Sequence, residues 1–377
     1  MGDRIGRRET LIVTTLLMGV STGVIGLLPT YATLGIWAPI LLTLMRVCQG
    51  LGAGAEFGGA STLLAEHAPK HKRGFYGSFS QLGVQIGLVL GTASFLLVSQ
   101  LPDDQLNSWG WRLPFLASFL MIFVTLYFRL RVEESPVFEQ LRERREVVKL
   151  PIIETVKRYP KSVLVGVGAH VADVAVIYIY VSFTVAYATD QLELSNTTVL
   201  LGIVLAALVG AALQPVYGAL SDRVGRRPLN LWSVCFTALY AFPFWLLINT
   251  GSPVVIFLAI AIGLAVGLGP MIAVQGAFYA ELFGANVRYT GFAGSRELGA
   301  ALVGFSPTLS AALLGWGGGD PWLVAAWMIL ACLVSLVAFL ASEETKDLDI
   351  GLEKPDQAAI VSKPKVAKEE PLTPVGS

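Results

Sequence analysis

Charge and cysteine are both scarce in this sequence of 377 residues. Only 14% of the residues are Asp, Glu, Lys or Arg, against roughly 25% in soluble domains, whereas 54% are hydrophobic. The three cysteines lie in apolar runs, where we interpret them as packing residues, and no CxxC or Cys/His cluster that could hold a metal is present. This composition excludes an ordinary soluble domain and is typical of a chain embedded in a membrane.

Two further classes of function lack support in the sequence. No nucleophile with a partnering base and no metal cluster occurs within the apolar segments, which argues against an integral-membrane enzyme. The basic residues cluster at the ends of these segments rather than forming a nucleic-acid-binding surface, so we expect no nucleic-acid partner.

Long apolar runs recur along the chain, and a helix needs roughly 20 such residues to cross a bilayer. Backbone polar groups in hydrocarbon must be satisfied within their own segment, so these runs predict an all-α membrane bundle. We predict ten spans, at residues 10–30, 37–65, 75–100, 111–130, 162–188, 198–219, 229–249, 254–280, 292–314 and 322–341.

The basic residues fall almost entirely on one side of the predicted spans. Of 27 Lys and Arg, 24 lie before the first span, in every second connection or in the tail. Arg112 lies on the other side, and Arg46 and Arg296 lie inside spans. Because Lys and Arg are enriched in cytoplasmic loops, we predict that both termini are cytoplasmic.

An unusual charged heptad occurs twice. The opening Gly2-Asp3-Arg4-Ile5-Gly6-Arg7-Arg8 returns as Ser221-Asp222-Arg223-Val224-Gly225-Arg226-Arg227, which implies a duplicated membrane unit. A mere positive-inside anchor is the weaker interpretation, because the pattern recurs. The heptad resembles the signature loop of the major facilitator superfamily, which joins the second and third helices of each six-helix half. The resemblance implies that the residues of both loops gate the cytoplasmic face.

Four further stretches resemble the metabolite:proton symporter family within that superfamily, with shikimate-type carriers nearest. They are Arg46-Val47-Cys48-Gln49-Gly50 with Glu56-Phe57-Gly58-Gly59, Gly110-Trp111-Arg112-Leu113-Pro114-Phe115, Glu134-Ser135-Pro136-Val137-Phe138-Glu139, and Glu281-Leu282-Phe283 with Val287-Arg288-Tyr289-Thr290-Gly291. The resemblance implies that the ten spans correspond to helices 3 to 12 of the usual twelve, with the first two absent.

This alignment divides the chain into four parts. We expect an incomplete N-terminal half-bundle at 1–130, a cytoplasmic linker at 131–161, a C-terminal six-helix bundle at 162–341 and a disordered cytoplasmic tail at 342–377. Within the linker, Ser135 and Pro136 are typical of an N-cap and a first helical residue, which predicts a surface helix.

Ionisable side chains inside a span usually face a cavity or a partner, because the bilayer centre penalises charge. On the second span, Arg46, Gln49 and Glu56 are candidates for the substrate and proton pathway. Arg46 is suited to an anionic substrate or a carboxylate partner, and Glu56 to a proton-linked role. For both residues a structural ion pair is the open alternative.

The fifth and ninth spans carry the other candidates. His170 and Asp173 share a helix face, and either lines the pathway or packs within the bundle. Arg296 and Glu297 point about 100° apart on an ideal helix, so we expect each to find a partner elsewhere; they either select substrate or form an interhelical salt bridge. Gln275 on the eighth span is a weaker candidate, for which we expect packing.

Glycines recur every four residues in three spans, as in Gly50-Gly54-Gly58 and Gly83-Gly87-Gly91. Small residues at this spacing let helices approach closely, so we expect helix contacts there.

The sequence therefore predicts a multi-pass bacterial inner-membrane carrier, acting as a monomer and without a cofactor. The resemblance implies proton symport of a small organic metabolite by alternating access. The cargo is expected to be a shikimate-like or dicarboxylic acid, or a zwitterion. The alternative is a truncated, non-transporting membrane protein or sensor derived from the same family.

Overall fold

The computed structural model describes residues 2–350, and these contain ten helices long and apolar enough to cross a membrane. The ten predicted spans are confirmed, with ends displaced by a few residues. We label them in chain order: α1 Arg7–Leu27, α2 Trp37–His67, α3 Lys70–Val98, α4 Gly110–Arg131, α5 Pro160–Asp190, α6 Asn196–Val224, α7 Arg226–Ile248, α8 Pro253–Leu282, α9 Arg288–Trp316 and α10 Trp322–Ala341.

The two charged heptads give the fold an internal correspondence. The first precedes α1 and the second precedes α7, so α1 to α4 correspond to α7 to α10. The helices α5 and α6 come before the second copy, and α6 packs along α3 of the first half. We call α1 to α4 the first half and α5 to α10 the second half.

The halves touch most closely where glycines remove side chains. A Cβ added to Gly276 on α8 would lie 2.7 Å from the carbonyl oxygen of Gly77 on α3. On α2, a Cβ at Gly58 would lie 2.9 Å from the Cβ of Ala293 on α9. Small residues therefore bring the backbones together along two seams, α3 with α8 and α2 with α9.

The glycine ladders fulfil their predicted role only in part. Gly54 and Gly58 meet α9, as expected for a packing ladder. By contrast, among residues 2–350 no atom lies within 4 Å of a Cβ added to Gly50 or to any glycine of the α3 ladder. Spacing alone did not reveal which glycine face has a partner.

The connection between the halves contains the predicted short helix, at Pro136–Glu143. The Ser135 hydroxyl oxygen accepts the N–H of Phe138 at 3.3 Å, so it caps the helix as its position indicated. A second short helix, Pro151–Arg158, was not predicted, and it leads directly into α5.

The expectation of disorder from Ser342 onward was wrong for the stretch up to Ile350. Its carbonyls satisfy buried guanidinium groups: Arg73 donates to the Leu348 oxygen at 2.7 Å, and Arg288 donates to the Ile350 oxygen. Because these partners are remote in sequence, the local composition could not reveal the contacts. Residues 351–377, the rest of the predicted tail, lie outside the described residues.

Candidate functional site

A cluster of polar side chains lies between the halves, and we call it the inter-half cluster. We call the end of the bundle that carries the two heptads, Arg73 and Arg288 the arginine-rich end. Gln81 lies eight residues after Arg73, and Arg296 lies eight residues after Arg288, so both are about 12 Å from this end. The helices α3, α5, α8 and α9 contribute the members, which are Gln81, His170, Asp173, Gln275, Arg296 and Glu297.

The centre of this cluster is a histidine–aspartate pair on α5. His170 Nδ1 lies 2.8 Å from Asp173 Oδ1, and the two residues are 2% and 4% exposed. Two such atoms at this distance can share a proton. The amide nitrogen of Gln275 donates to the other carboxylate oxygen, Oδ2. Oδ2 therefore accepts a hydrogen bond, whereas Oδ1 lies at ion-pair distance from His170 and accepts no hydrogen bond within residues 2–350.

A single hydrogen bond joins this pair to the first half. Gln81 Nε2 on α3 donates to Gln275 Oε1 on α8 at 2.8 Å, and both side chains are 4% exposed. Gln275 was expected to be a packing residue, yet it contacts Gln81, His170, Asp173 and Arg296. The bond lies beside the α3–α8 seam at Gly77 and Gly276, where the backbones are in contact.

Arg296 and Glu297 extend the cluster toward α2. They form an ion pair with each other, which corrects the expectation that neighbouring positions could not pair. The 100° between their Cα–Cβ directions is bridged by the length and flexibility of the two side chains. The Arg296 guanidinium also lies 4.1 Å from the centroid of Phe57, a cation–π contact that crosses between the halves.

The other predicted carboxylate, Glu56, lies outside the inter-half cluster. It pairs with Arg129 in the last turn of α4, and it accepts hydrogen bonds from Thr14 at 2.7 Å and Thr15 at 3.0 Å. Arg129 lies at the end of the predicted span 111–130 and was not among the predicted site residues. Its position within α4 gives Glu56 an ion-pair partner inside the first half.

Arg46 and Gln49 form a separate pair near the opposite end of α2. The guanidinium of Arg46 donates to Gln49 Oε1 at 3.0 Å, and Gln49 donates to Thr22 on α1 at 2.8 Å. The Arg46 side chain is exposed. The predicted pathway residues thus fall into three groups rather than one.

A crevice of about 810 Å³ opens between α2, α3 and α4. Its lining is mainly apolar, with Glu56, Arg129 and His67 among the polar members. In the second half, α5 packs against α9, α10 and α8, the counterparts of α3, α4 and α2. The crevice therefore occupies the position that α5 fills in the second half.

The arginine-rich end is closed by a buried ion network. Arg7 lies between Asp3 at 3.3 Å and Glu66 at 3.4 Å, with every side chain fully buried. Glu66 also pairs with Arg288 of the second half at 2.6 Å and accepts the Ser135 hydroxyl. A network of this kind locks the two halves together, because opening would leave buried charges without partners.

Each heptad aspartate caps a helix of the opposite half. The Asp3 carboxylate accepts the backbone N–H of Thr290 at 2.7 Å, at the start of α9. Asp222 accepts the N–H groups of Gly74 at 2.8 Å and Phe75 at 2.9 Å, at the start of α3. A carboxylate is favoured at a helix N-terminus by the helix dipole. Burial raises the pKa of the Asp3 carboxyl, and Arg7 opposes this rise.

One glutamate caps the helix that begins at each heptad. Glu134 accepts the N–H of the first residue of α1 at 3.1 Å, and Glu344 accepts that of the first residue of α7 at 2.8 Å. Gly6 and Gly225 have φ of 118° and 109°, a region that favours glycine, and each lies against the capping carboxylate. The two loops are therefore alike in structure as well as in sequence.

The heptad residues do not all contribute equally to this closure. Arg226 pairs with Asp222 at 2.8 Å and Glu281 at 3.1 Å, as Arg7 pairs in the first copy. Arg8 and Arg227 donate to backbone carbonyls at helix ends. The remaining two, Arg4 and Arg223, have exposed side chains that form no ion pair within residues 2–350.

Sequence reasoning missed Gln81, Glu66 and Arg129 as site residues. Glu66 lies at the end of its span, where a carboxylate is usual and carries no signal. Gln81 is neutral and one of several polar residues on α3. The partners of Glu66, which are Arg7, Ser135 and Arg288, lie in the quoted motifs, but they come from three separate segments of the chain.

Comparisons with known proteins agree with this architecture. Residues 1–304 match the sequence profile of the Major Facilitator Superfamily. An Escherichia coli inner membrane metabolite transport protein, YhjE, is 38% identical over 92% of this chain and 79% of its own. The shikimate transporter of the same organism is 35% identical over 92% and 80%, and its proline/betaine transporter is 33% identical over 92% and 71%.

The fold is also that of a solved transporter. The structure of the proton:xylose symporter XylE superposes with a TM-score of 0.77 over 95% of this chain and 84% of that one, at 17% identity. The paired heptads, the helical bundle and these matches lead to one conclusion: the chain belongs to the Major Facilitator Superfamily and is a multi-pass membrane protein of a transporter family.

Proposed function

We propose that this protein is a proton-coupled secondary transporter that moves a small organic metabolite across the bacterial inner membrane. The observation that carries the proposal is the buried His170–Asp173 pair, which is hydrogen-bonded through Gln275 to the opposite half. A group that can gain or lose a proton at the contact between the halves is what coupling of protons to alternating access requires.

The proposed cargo is a small carboxylate, such as a shikimate-like or dicarboxylic acid, or a zwitterion. Relatives named for shikimate and for proline and betaine support both classes. Arg296 is the cation closest to the His170–Asp173 pair within the inter-half cluster, and it would bind the anionic group of the cargo. The relatives do not decide between the classes, because each is named for a different compound.

In the proposed cycle the halves rock about the inter-half cluster. The seams α3–α8 and α2–α9 close the arginine-rich end. There the heptad aspartates, through hydrogen bonds, and Glu66, through its ion pair with Arg288, hold the halves together. A proton that neutralises Asp173 lowers the free-energy cost of exposing the cluster. The equilibrium between the two orientations of the halves therefore differs between the protonated and the unprotonated protein. The arginine-rich end is proposed to face the cytoplasm, together with both termini, and the working unit to be a monomer.

The test is uptake of radiolabelled shikimate and glycine betaine into inverted and right-side-out vesicles containing the purified protein. An inward proton gradient should raise accumulation of at least one probe, and Asp173→Asn should abolish this stimulation while preserving exchange. Accumulation that is indifferent to the gradient would remove proton symport from the proposal.

The second candidate function is binding without transport, as in a sensor. The crevice between α2, α3 and α4 favours it, because a mainly apolar cavity of about 810 Å³ has the size of a small-molecule binding site. A protein that binds a probe in equilibrium dialysis but shows neither uptake nor counterflow in vesicles would establish this candidate instead.

A further inference from the structure

Gln275 occupies an unusual position, since one carboxamide contacts a titratable pair, an arginine and the opposite half of the molecule. Its nitrogen donates to Asp173 Oδ2, and its oxygen accepts from Gln81 Nε2 at 2.8 Å. The same oxygen lies 3.5 Å from Arg296 Nε. This arrangement lets a change at Asp173 reach α3 through a single side chain.

The chemistry of the groups determines which way the carboxamide is turned. An ionised carboxylate only accepts hydrogen bonds, so Gln275 must present its nitrogen to Asp173. Its oxygen is then directed at Gln81, which must present its own nitrogen in return. The observed orientation of both amides is therefore the one that an ionised Asp173 demands.

Protonation reverses these demands. In the protonated form that we propose, the added proton resides on Asp173 Oδ2 and the carboxyl group is neutral. The new O–H is a donor, and its matching partner is the oxygen of Gln275. If Gln275 turns its oxygen to Asp173, its nitrogen faces the nitrogen of Gln81, and the hydrogen bond between the halves is broken until the Gln81 carboxamide also turns.

The location of that bond gives the change a mechanical consequence. Gln81 and Gln275 flank the seam at Gly77 and Gly276, where an added Cβ on Gly276 would lie 2.7 Å from the Gly77 oxygen. This seam must separate if the arginine-rich end is to open. A hydrogen bond beside it biases the equilibrium between closed and open forms.

We infer that Gln275 is a positioning residue that transmits the protonation state of the His170–Asp173 pair to the contact between the halves, through the direction in which its carboxamide is turned. This inference rests on the proposed proton coupling and names the residue that performs it. The proton enters from one side of the membrane, resides on Asp173 and leaves to the other side. No other covalent bond is made or broken.

The other groups around Asp173 are compatible with this role. His170 on α5 contacts Asp173 directly. The other ionisable groups in this region are Tyr279 on α8 and the Arg296–Glu297 pair on α9, where Arg296 lies against Gln275. The α10 side contributes the hydroxyl of Ser335, which accepts the N–H of Ala172 at 2.9 Å. Tyr279 donates to the Gly166 carbonyl at 2.6 Å, so its hydroxyl is already committed. Gln275 is the neutral group that connects Asp173 with Gln81.

The first experiment needs no cargo. Infrared difference spectra of the purified protein on acidification should show the carbonyl stretch of a protonated carboxylic acid that disappears in Asp173→Asn. In Gln275→Leu this band should shift to higher frequency, because the acid has lost a hydrogen-bond partner. Gln85→Leu, one turn further along α3 and buried, is the matched control and should leave the band unchanged. A band that is identical in wild type and Gln275→Leu overturns the inference.

The second experiment measures coupling in vesicles with shikimate and glycine betaine. A proton gradient should stimulate wild-type uptake at least about fivefold, the lower end of typical coupling between two sites. In Gln275→Leu and in Gln81→Leu the stimulation should fall toward unity and the pH profile should flatten, while counterflow persists. Stimulation retained in both variants overturns the inference and leaves the proposed function intact.

The two failures remain distinguishable. Absence of stimulation in the wild type contradicts the proposed proton coupling itself, whereas the infrared result still decides whether Gln275 reports the proton on Asp173. If Gln275→Leu is not recovered as a folded, monodisperse protein, Gln81→Leu cuts the same bridge from the first half and carries the vesicle test.

Discussion

At the scale of single residues, position within the first heptad separates two arginines that look equivalent. Arg7 is fully buried between Asp3 and Glu66, whereas the Arg4 side chain is exposed. A buried charge depends on its partners, while an exposed one is screened by solvent. The heptad therefore contains both closure residues and residues that only add positive charge.

Replacing Arg7 by Ala should strongly destabilise the protein, by about 3–5 kcal/mol, because it leaves Glu66 and Asp3 buried with fewer partners. Replacing Arg4 by Ala should change stability by less than about 0.5 kcal/mol. Thermal unfolding in detergent, followed by circular dichroism, measures both. Equal effects of the two substitutions would contradict the assignment of the closure to Arg7.

The alternatives left open for Glu56 can be separated by a double-mutant cycle with Arg129. If the pair is structural, Glu56→Gln and Arg129→Gln should each destabilise the protein, and the double variant should recover part of the loss, with a coupling of about 0.5–3 kcal/mol. The threonine hydrogen bonds can persist with a glutamine oxygen. Additive effects, together with an altered pH profile of uptake in Glu56→Gln alone, would instead favour a proton-linked role.

At the scale of elements, the contact between α3 and α8 is the point where composition controls helix approach. Gly77 on α3 and Gly276 on α8 allow the backbones to touch. Gly83 also lies on α3, but a Cβ added there would meet no atom of the described part of the chain within 4 Å. Of these two glycines on α3, only Gly77 lies at a backbone contact between helices.

Gly276→Ala should destabilise the protein by about 1–3 kcal/mol, because the new methyl group must displace the α3 backbone. Gly83→Ala should be neutral or slightly stabilising, since alanine favours the helix and the space is open. Thermal unfolding compares the two variants directly. A neutral Gly276→Ala would mean that the α3–α8 seam is not tightly closed.

At the scale of the whole molecule, the stretch from Ser342 to Ile350 ties the two halves together at the arginine-rich end. It places one carbonyl against Arg73 on α3 and another against Arg288 on α9, and Ile350 is buried. The heptads hold the same two helix ends through their aspartates. The arginine-rich end is therefore closed by a symmetric pair of loops and by one asymmetric segment.

A chain ending at Thr345 should open this end more readily than a chain ending at Ile350, which is the control. Hydrogen exchange followed by mass spectrometry should show faster exchange at the first turns of α3 and α9 in the shorter chain, because Arg73 and Arg288 lose acceptors there. Equal exchange in the two truncated chains would show that the segment is not part of the closure.

Much of the architecture was predictable, because its signals are local. Ten apolar runs, a capped linker helix and a repeated heptad can each be identified within a few neighbouring residues. The ionisable members of the inter-half cluster could be identified in the sequence, since a charge inside a span is conspicuous, but so could Arg46 and Glu56, which lie outside the cluster. Gln275 was undervalued and Gln81 missed, because a neutral amide has no such signal until its partners are known.

The sequence by itself determined the number of spans, the duplicated plan and the family, since hydrophobic length and a repeated motif do not depend on distant contacts. Only the tertiary structure decided which polar residues meet. Asp173 and Gln81 lie on different halves and are joined by a residue far from both in the chain. Hydrogen bonding needs distances of about 3 Å, which only packing of the helices can establish.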